Sequence, residues 1–310
     1  MIYNVGSINI DHVYRVPHLV RPGETLSSRS YCQVLGGKGA NQTIAIARAG
    51  AEVTHIGAIG HHDAWVTQVL SSAGARVDDI AHCQELMSGH AIIQVDDAAE
   101  NSIVLYHGAN GAMPLDTVTQ PLTRGARGDW LLLQNECAHL EAALMQAQRQ
   151  GMLIAFNPAP MTADVARLPL EHVALLFLNE GEAIDLLATL EGVNSGSIST
   201  LYTTPKAVMI RLRHHYPACA CVLTLGARGA LYGDTGVLLH QAAHQVTAID
   251  TTAAGDTFVG YFMAATVRGA TPECALSEAV AAAALCVQKE GASSSIPEYK
   301  DVIELLHSNK

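Results

Sequence analysis

Two aspartates, Asp250 and Asp256, bracket the small residues of IDTTAAGDTF (Ile249–Phe258). The run that follows, TFVGYFMAATV, is apolar enough to form a buried helix. Ala253, Ala254 and Gly255 carry little or no side chain. Their N–H groups are expected to face a cleft at the helix N-terminus, where partial positive charge gathers. Such a turn is an anion hole, suited to charge developing on a transferred phosphoryl group. Asp256 is placed to accept a proton from a substrate hydroxyl. It could instead cap the helix. A cap accounts for the aspartate but not for the small residues before it.

GGKGANQ (Gly36–Gln42) is a second chemical stretch. It fails the phosphate-loop pattern: Cys32 stands where the first glycine is required, and Gly39 follows Lys38 in place of Ser or Thr. It fails the dinucleotide pattern too, with Gln42 at the last glycine position. What remains is a glycine turn opening an Ala-rich helix, with Lys38 and Asn41 near its start. Free N–H groups and close backbone approach there suit sugar hydroxyls; a plain strand-to-helix turn fits equally well. In TLGARGA (Thr224–Ala230), Gly226 and Gly229 frame Arg228 after a buried strand. Backbone there could approach a nucleotide's phosphates, or simply turn.

These groups need elements that bring them together. Short apolar runs (YNVGSI, VTHIGAIG, WLLLQNE, LIAFNPAP, ALLFLNEGE, CVLTLG) recur, most followed by Ala- and Leu-rich segments such as ANQTIAIARAG and HLEAALMQAQRQG. Buried strands alternating with helices predict an α/β fold, a mostly parallel sheet covered on both faces. The runs close on Asn9 and Asp11, Glu136, Asn157, Asn179 with Glu182, and Thr224 with Gly226. Any one could be an ordinary loop cap. Five runs closing this way in register suggest a polar cleft beyond one edge of the sheet, where open α/β sheets bind ligands. Two regions, His12–Val34 and Gly89–Gly108, alternate over short runs instead. They predict half-exposed antiparallel strands in a small accessory sheet.

The composition narrows the partners. The 310 residues are 49% hydrophobic and 15% charged, with net charge −11. That acidity argues against nucleic acid and against an anionic membrane surface. The longest apolar run, AVAAAALCV, is too short to span a bilayer. The N-terminus has no positive n-region, so no signal peptide is expected. Seven scattered cysteines predict reduced thiols in a cytoplasmic protein. The histidine pairs in GHHDAW and RHHYP lack helical i, i+4 partners and read as solvated loops rather than metal ligands.

Taken together, GGKGAN, NPAP, NEGE and DTTAAGDTF resemble the ribokinase-like (PfkB) carbohydrate kinase family, in the family's order and over essentially the whole chain. Within it, GSINIDH, RPGET, HGAN and GASSSIP are most similar to the ribokinase branch. The resemblance implies one kinase domain over residues 1–310, with a β-lid within about 12–34 and 89–108. It implies transfer of the ATP γ-phosphoryl group to the primary hydroxyl of a pentose, with D-ribose favoured. Asp256 would be the base, with Ala253, Ala254 and Gly255 as anion hole. Asn9, Asp11, Gly37, Lys38, Asn41 and Glu136 would bind the sugar. Asn179, Thr224, Gly226, Ala227, Gly229 and Gly255 would line the nucleotide site, and Glu182 would order the water shell of Mg²⁺. Asp250, Thr252, Cys286, Lys289, Gly291 and Ser295 would hold an activating monovalent cation, K⁺, mostly through backbone carbonyls; a turn-stabilising contact is the other reading of Asp250. A homodimer through the lid is expected.

Three departures bear on the substrate. Val280 stands where the family often has Asn or His near the adenine. Ser88 and His90 stand around a lid strand where the usual pattern is Thr-Gly followed by an apolar residue, with His90 facing sugar or solvent. Glu290 replaces a more often basic residue. Kinases of deoxyribose, another sugar or a nucleoside are the alternatives, followed by a non-catalytic sugar-binding regulator.

Overall fold

The computed structural model describes residues 1–98 and 100–308; Ala99, inside the polar insert DDAAEN, and the terminal Asn309 and Lys310 lie outside the described residues. The strands are β1 (Ile2–Val5), β2 (Asn9–Arg15), β3 (Ser30–Gly36), β4 (Val53–Gly60), β5 (Arg76–Cys83), β6 (Gly89–Val95), β7 (Asn101–Tyr106), β8 (Trp130–Gln134), β9 (Leu153–Asn157), β10 (Leu175–Asn179), β11 (Ala220–Thr224), β12 (Ala230–Gly233) and β13 (Leu238–Gln241). Nine of them form one sheet, in the order β13-β12-β11-β10-β9-β8-β1-β4-β5. From β11 to β5 every pairing is parallel. The strand–helix alternation thus gives the expected mostly parallel sheet.

The antiparallel edge, β12 and β13, was not legible as such. It follows from a tight turn after β11, too short for the crossover a parallel strand needs.

Both faces of the sheet are covered. Ile2, Leu132, Phe177 and Val222 pack toward the helices Lys38–Arg48, Ala254–Val267 and Pro272–Cys286. Their neighbours Tyr3, Leu131, Leu133 and Leu176 pack on the other side, with the helices Leu140–Gln150, Glu180–Glu191 and Pro205–His215. Burial on two sides explains why these strands read as continuous apolar runs. The Ala254–Val267 helix is buried from Asp256 to Ala265, which is why its sequence is apolar all round.

The remaining four strands form a separate sheet, β3-β2-β6-β7. The pairs β2–β3 and β6–β7 are antiparallel, as short alternation predicts. The two pairs join through β2 and β6, which run parallel, contrary to expectation. No short turn connects those two strands, so nothing local imposes their direction.

A second correction concerns Asn9 and Asp11. They do not end the first buried strand. β1 stops at Val5, and these residues open β2. The chain leaves β1, makes the β2–β3 hairpin, and returns through the Lys38–Arg48 helix to β4. The hairpin therefore sits inside a β–helix–β crossover, which brings the first residues of β2 to the edge of the main sheet. Among the described residues no helix is long and apolar enough to cross a membrane.

Candidate active site

The first turn of the Ala254–Val267 helix meets the ends of β9, β10 and β11. Asn157, Asn179, Thr224, Ala253, Gly255 and Asp256 line one cavity of about 230 Å³, with Lys38 and Glu182. Ala253, the residue before the helix, is left-handed at φ 60°. That conformation costs an alanine about 1–2 kcal/mol, a strain typical of functional turns. Asp256 is not the cap: Ala253 holds that position, and no side chain bonds the free amides. Gly255 has open space at its Cα, so backbone can be approached there. Ala254 departs from expectation, because its N–H turns back to the Thr251 carbonyl at 3.3 Å.

Asp256 is 9% exposed. Its Oδ2 accepts from Asn41 Nδ2 at 3.0 Å and its Oδ1 from Gln42 Nε2 at 3.0 Å. Both donors come from the Lys38–Arg48 helix, which can approach because residue 260 is glycine. A Cβ there would stand 2.3 Å from Ala45 Cβ and 2.9 Å from the Gln42 carbonyl. The Lys38 ammonium is stabilised in its charged form by Asp256, against the effect of burial. Burial raises the Glu182 carboxyl above its usual range, moderated by the Asn179 amide. Glu182 and Asn179 form a reciprocal capping box, with both bonds at 2.8 Å.

The groups on the small sheet are linked to this cavity through Glu136, whose charge acts on both Asp11 and Lys38. Asn9 and Asp11 share one face of β2, since side chains alternate. Asn9 Oδ1 accepts from Asn110 Nδ2 at 2.8 Å, and Asn110 is itself fixed by both backbone groups of Ile8. Asp11 sits against Gly36, where a Cβ would come within 2.0 Å of Asp11 Oδ2. Burial, and then the charge of Glu136, push the Asp11 carboxyl up to about 6. Burial also raises Glu136, against the pull of Lys38. Glu136 Oε2 accepts from the Ser7 hydroxyl and from the Lys38 amide, the latter at 3.2 Å. Gly37, at φ 91°, turns the chain into that helix. Asn41 Oδ1 is buried and has no partner.

A second cavity, of about 340 Å³, lies across the same helix N-terminus. Thr224, Gly226, Ala227, Gly229 and Val280 line it, and Thr224, Thr251 and Gly255 border both cavities. Asn179, expected beside these residues, lies in the smaller polar cavity instead. Next to the turn, Asp250 Oδ1 accepts from the Thr252 amide at 2.9 Å and Oδ2 from the Gly291 amide at 3.0 Å. Burial would raise Asp250, but these bonds, with the Thr252 hydroxyl, hold it below the usual range. Cys286 Sγ is 3.7 Å from the Thr252 carbonyl and 3.1 Å from Ser295 Oγ. Lys289 follows three residues later, its amide bonded to the Cys286 carbonyl at 3.2 Å.

Sequence reasoning missed Ser7, Gln42, Asn110 and Thr251, and the wall formed by Ala243–Val246. In the sequence Gln42 stands out only as the residue at a failed glycine position. Ser88, a named departure, is structural: it donates to Asp63 at 2.6 Å and accepts from the Gly60 amide. His90 lies on the face of β6 away from Asp11, half-buried against His12 and Tyr106.

The arrangement gathers carboxylates and amides beside a helix start that no side chain caps, with a second cavity of about 340 Å³ across it. The known proteins that this chain is similar to agree. The profile described as "pfkB family carbohydrate kinase" matches residues 1–299. The ribokinase of Haemophilus influenzae is 37% identical over 306 residues, 97% of each chain. That of Schizosaccharomyces pombe is 34% identical, covering 96% of this chain and 95% of the relative. Among solved structures, ribokinase from Cryptococcus neoformans in complex with ADP superposes with a TM-score of 0.83 at 36% identity, covering 98% and 99% of the two chains. Arabidopsis thaliana ribokinase complexed with ribose and ATP gives 0.82 at 26%, covering 98% of each. This chain belongs to the pfkB family of carbohydrate kinases, and is a phosphotransferase acting on an alcohol group.

Proposed function

We propose that this kinase phosphorylates the primary hydroxyl of D-ribose with ATP. The observation that carries the reading is a set of buried acceptors: the unpartnered Asn41 Oδ1 beside Asp256, and the Asp11 and Glu136 carboxyls, both raised by burial. Hydroxyls of a polyol donate to such groups. A carboxylate beside the amide of Asn9 suits a vicinal diol, which ribose has and 2-deoxyribose lacks at carbon 2. A site built to bond a hydroxyl discriminates strongly against the analogue without it.

Asp256 then takes the proton of the attacking hydroxyl, because its two oxygens keep one lone pair each after Asn41 and Gln42 are satisfied. The first-turn amides at Gly255 and Asp256 face the transferred charge. Lys38 adds a positive charge in the same cavity. The cavity at Thr224–Gly229 and Val280 takes the base and ribose of ATP. Glu182 and Asn179 are suited to order the waters of Mg²⁺, whose bound ion would neutralise the phosphates. Asp250 and Ser295, with the carbonyls of Thr252, Cys286, Lys289 and Gly291, would supply the oxygen donors for K⁺. That ion would brace the turn. The small sheet acts as the lid, excluding water from the transfer. Its outer residues Tyr31, Val104 and Tyr106 are about half exposed or more, which supports pairing of two lids in a homodimer. The unpaired state of all seven cysteines suits a cytoplasmic setting.

The test is ADP release over pentoses, 2-deoxyribose, hexoses and nucleosides. Ribose is expected to lead 2-deoxyribose by at least about tenfold in kcat/KM. A nucleoside turned over faster than every free sugar refutes the assignment.

A further inference from the structure

A line of buried side chains runs from Asp256 through the core. Gln42 Nε2 donates to Asp256 Oδ1 at 3.0 Å and to Asn157 Oδ1 at 3.1 Å. Gln42 Oε1 accepts from Gln134 Nε2 at 2.7 Å, and Gln134 Nε2 also donates to Asn4 Oδ1 at 2.9 Å. Asn4 Nδ2 donates to the Gly39 carbonyl and to Thr43 Oγ1, both at 2.8 Å. Thr43 Oγ1 is 2.7 Å from His55 Nδ1, and His55 Nε2 is 3.1 Å from the Gly6 carbonyl. Asn4, Gln42, Thr43 and His55 are fully buried, and Gln134 is 1% exposed.

The direction of every bond is set by the ends of the line. A carbonyl oxygen only accepts, so the one at Gly6 requires the hydrogen of neutral His55 on Nε2. Burial keeps His55 neutral, with its pKa lowered to about 4. Nδ1 must then accept from the Thr43 hydroxyl. Thr43 Oγ1 in turn accepts from Asn4, whose Nδ2 is independently fixed by the Gly39 carbonyl. Asn4 Oδ1 is left to accept from Gln134, and Gln134 gives its other hydrogen to Gln42 Oε1. At the far end, Asn157 Nδ2 donates to the Phe177 carbonyl at 3.1 Å, so its Oδ1 faces Gln42. All of these constraints place the NH₂ of Gln42, not its carbonyl, against Asp256.

We propose that Gln42 is a positioning residue for the Asp256 carboxylate, oriented by the buried amides of Gln134, Asn4 and Asn157. The inference rests on Asp256 being the proton acceptor. Asn41 holds one oxygen of the carboxylate and Gln42 the other, and two such bonds fix its plane. The free lone pairs are thereby held toward the sugar. A loose carboxylate would spend much of its time aimed elsewhere, and misplacement by about 1 Å can cost about 100-fold in rate. Nothing in this line touches the sugar-binding groups on β2, so its loss falls on kcat rather than on sugar binding.

Gln42→Met keeps the length of the side chain and removes its amide. It is expected to lower kcat about 10- to 100-fold, with the KM for ribose changed less than about threefold. Gln134→Met leaves every cavity-lining group in place and is expected to lower kcat several-fold in the same pattern. It serves as the second variant if Gln42→Met does not fold, as judged by its melting transition. In an Asp256→Asn background, Gln42→Met is expected to change the residual rate by no more than about twofold, because its effect passes through that carboxylate. Equal loss in both backgrounds overturns the proposal, as does a raised KM at unchanged kcat. If Asp256→Asn is inactive while Gln42→Met and Gln134→Met keep wild-type kcat, only the positioning role fails. If Asp256→Asn itself retains full turnover, the base assignment fails and the positioning role with it.

Discussion

The proposed transfer turn and the proposed sugar-binding wall are built from different material. Asp256 lies where two core helices cross, its carboxylate held by Asn41 and Gln42 and backed by side chains with no solvent exposure. Asp11 and Asn9 stand on a four-stranded sheet whose edge strand β7 is exposed along its whole length. That sheet is joined to the core at its base, by Asn110 on Asn9, by Ser88 on Asp63 and Gly60, by Ser293 on the Leu35 carbonyl, and by the burial of Ile10 and Leu35. Chemistry needs a group held to a fraction of an ångström, and close-packed helices provide that. Recognition with access needs a wall that can open, and a sheet joined at its base provides that. Damage to the first region should therefore appear in kcat, and damage to the second in the KM for sugar.

The largest separation of the two is expected at the helix crossing. Gly260→Ala forces a Cβ into Ala45 and the Gln42 carbonyl, so the helices must part. Stability should fall by about 1–3 kcal/mol. The rate kcat should fall about 100-fold while the KM for ribose moves far less. Steady-state kinetics with a melting curve checks both, and a change confined to KM breaks the comparison.

Asn110→Ala is the reciprocal case. It frees Asn9 Oδ1 and leaves the backbone groups of Ile8 without their partner. The KM for sugar should rise about tenfold with kcat within about threefold, as expected for lost positioning worth about 1–2 kcal/mol.

A smaller and graded effect comes from pH. Asp11 is raised from 3.8 to about 6, first by burial and then by Glu136. Sugar hydroxyls donate to the ionised form, so binding must deprotonate this group below about pH 6. The KM for ribose should rise as pH falls through 6, reaching about tenfold by pH 5. The sign for stability is opposite. A raised carboxyl stabilises the sugar-free protein below about pH 4 and loses that contribution as pH climbs through 6. Asp11→Asn should flatten the KM profile while leaving the kcat profile in place; a KM independent of pH in the parent contradicts the assignment.

Much of this division can be read in the sequence, and the exceptions have a common cause. The buried parallel strands, the half-exposed accessory strands and the helix after Asp256 all follow from local periodicity. So does the polar edge, where Asn157 closes β9 and Asn179 pairs with Thr224 at the ends of β10 and β11. What local pattern cannot give is who meets whom. Asn4, His55 and Gln134 look like blemishes in apolar runs, although they are links in one buried line. Gln42 bonds Asp256 across 214 residues. The parallel pairing of β2 with β6 is likewise a long-range choice. A polar residue inside a fully buried strand is the one signal that could have been used, since it must find a partner.

The central claim is that Asp256 does chemistry rather than holds sugar. Its most direct test is Asp256→Asn, measured for ribose-dependent ADP formation and for ribose binding by calorimetry on the same folded preparation. The account predicts a loss of at least about 1,000-fold in turnover with ribose affinity within about threefold of the parent. Turnover retained, or lost only in step with ribose affinity, would contradict it.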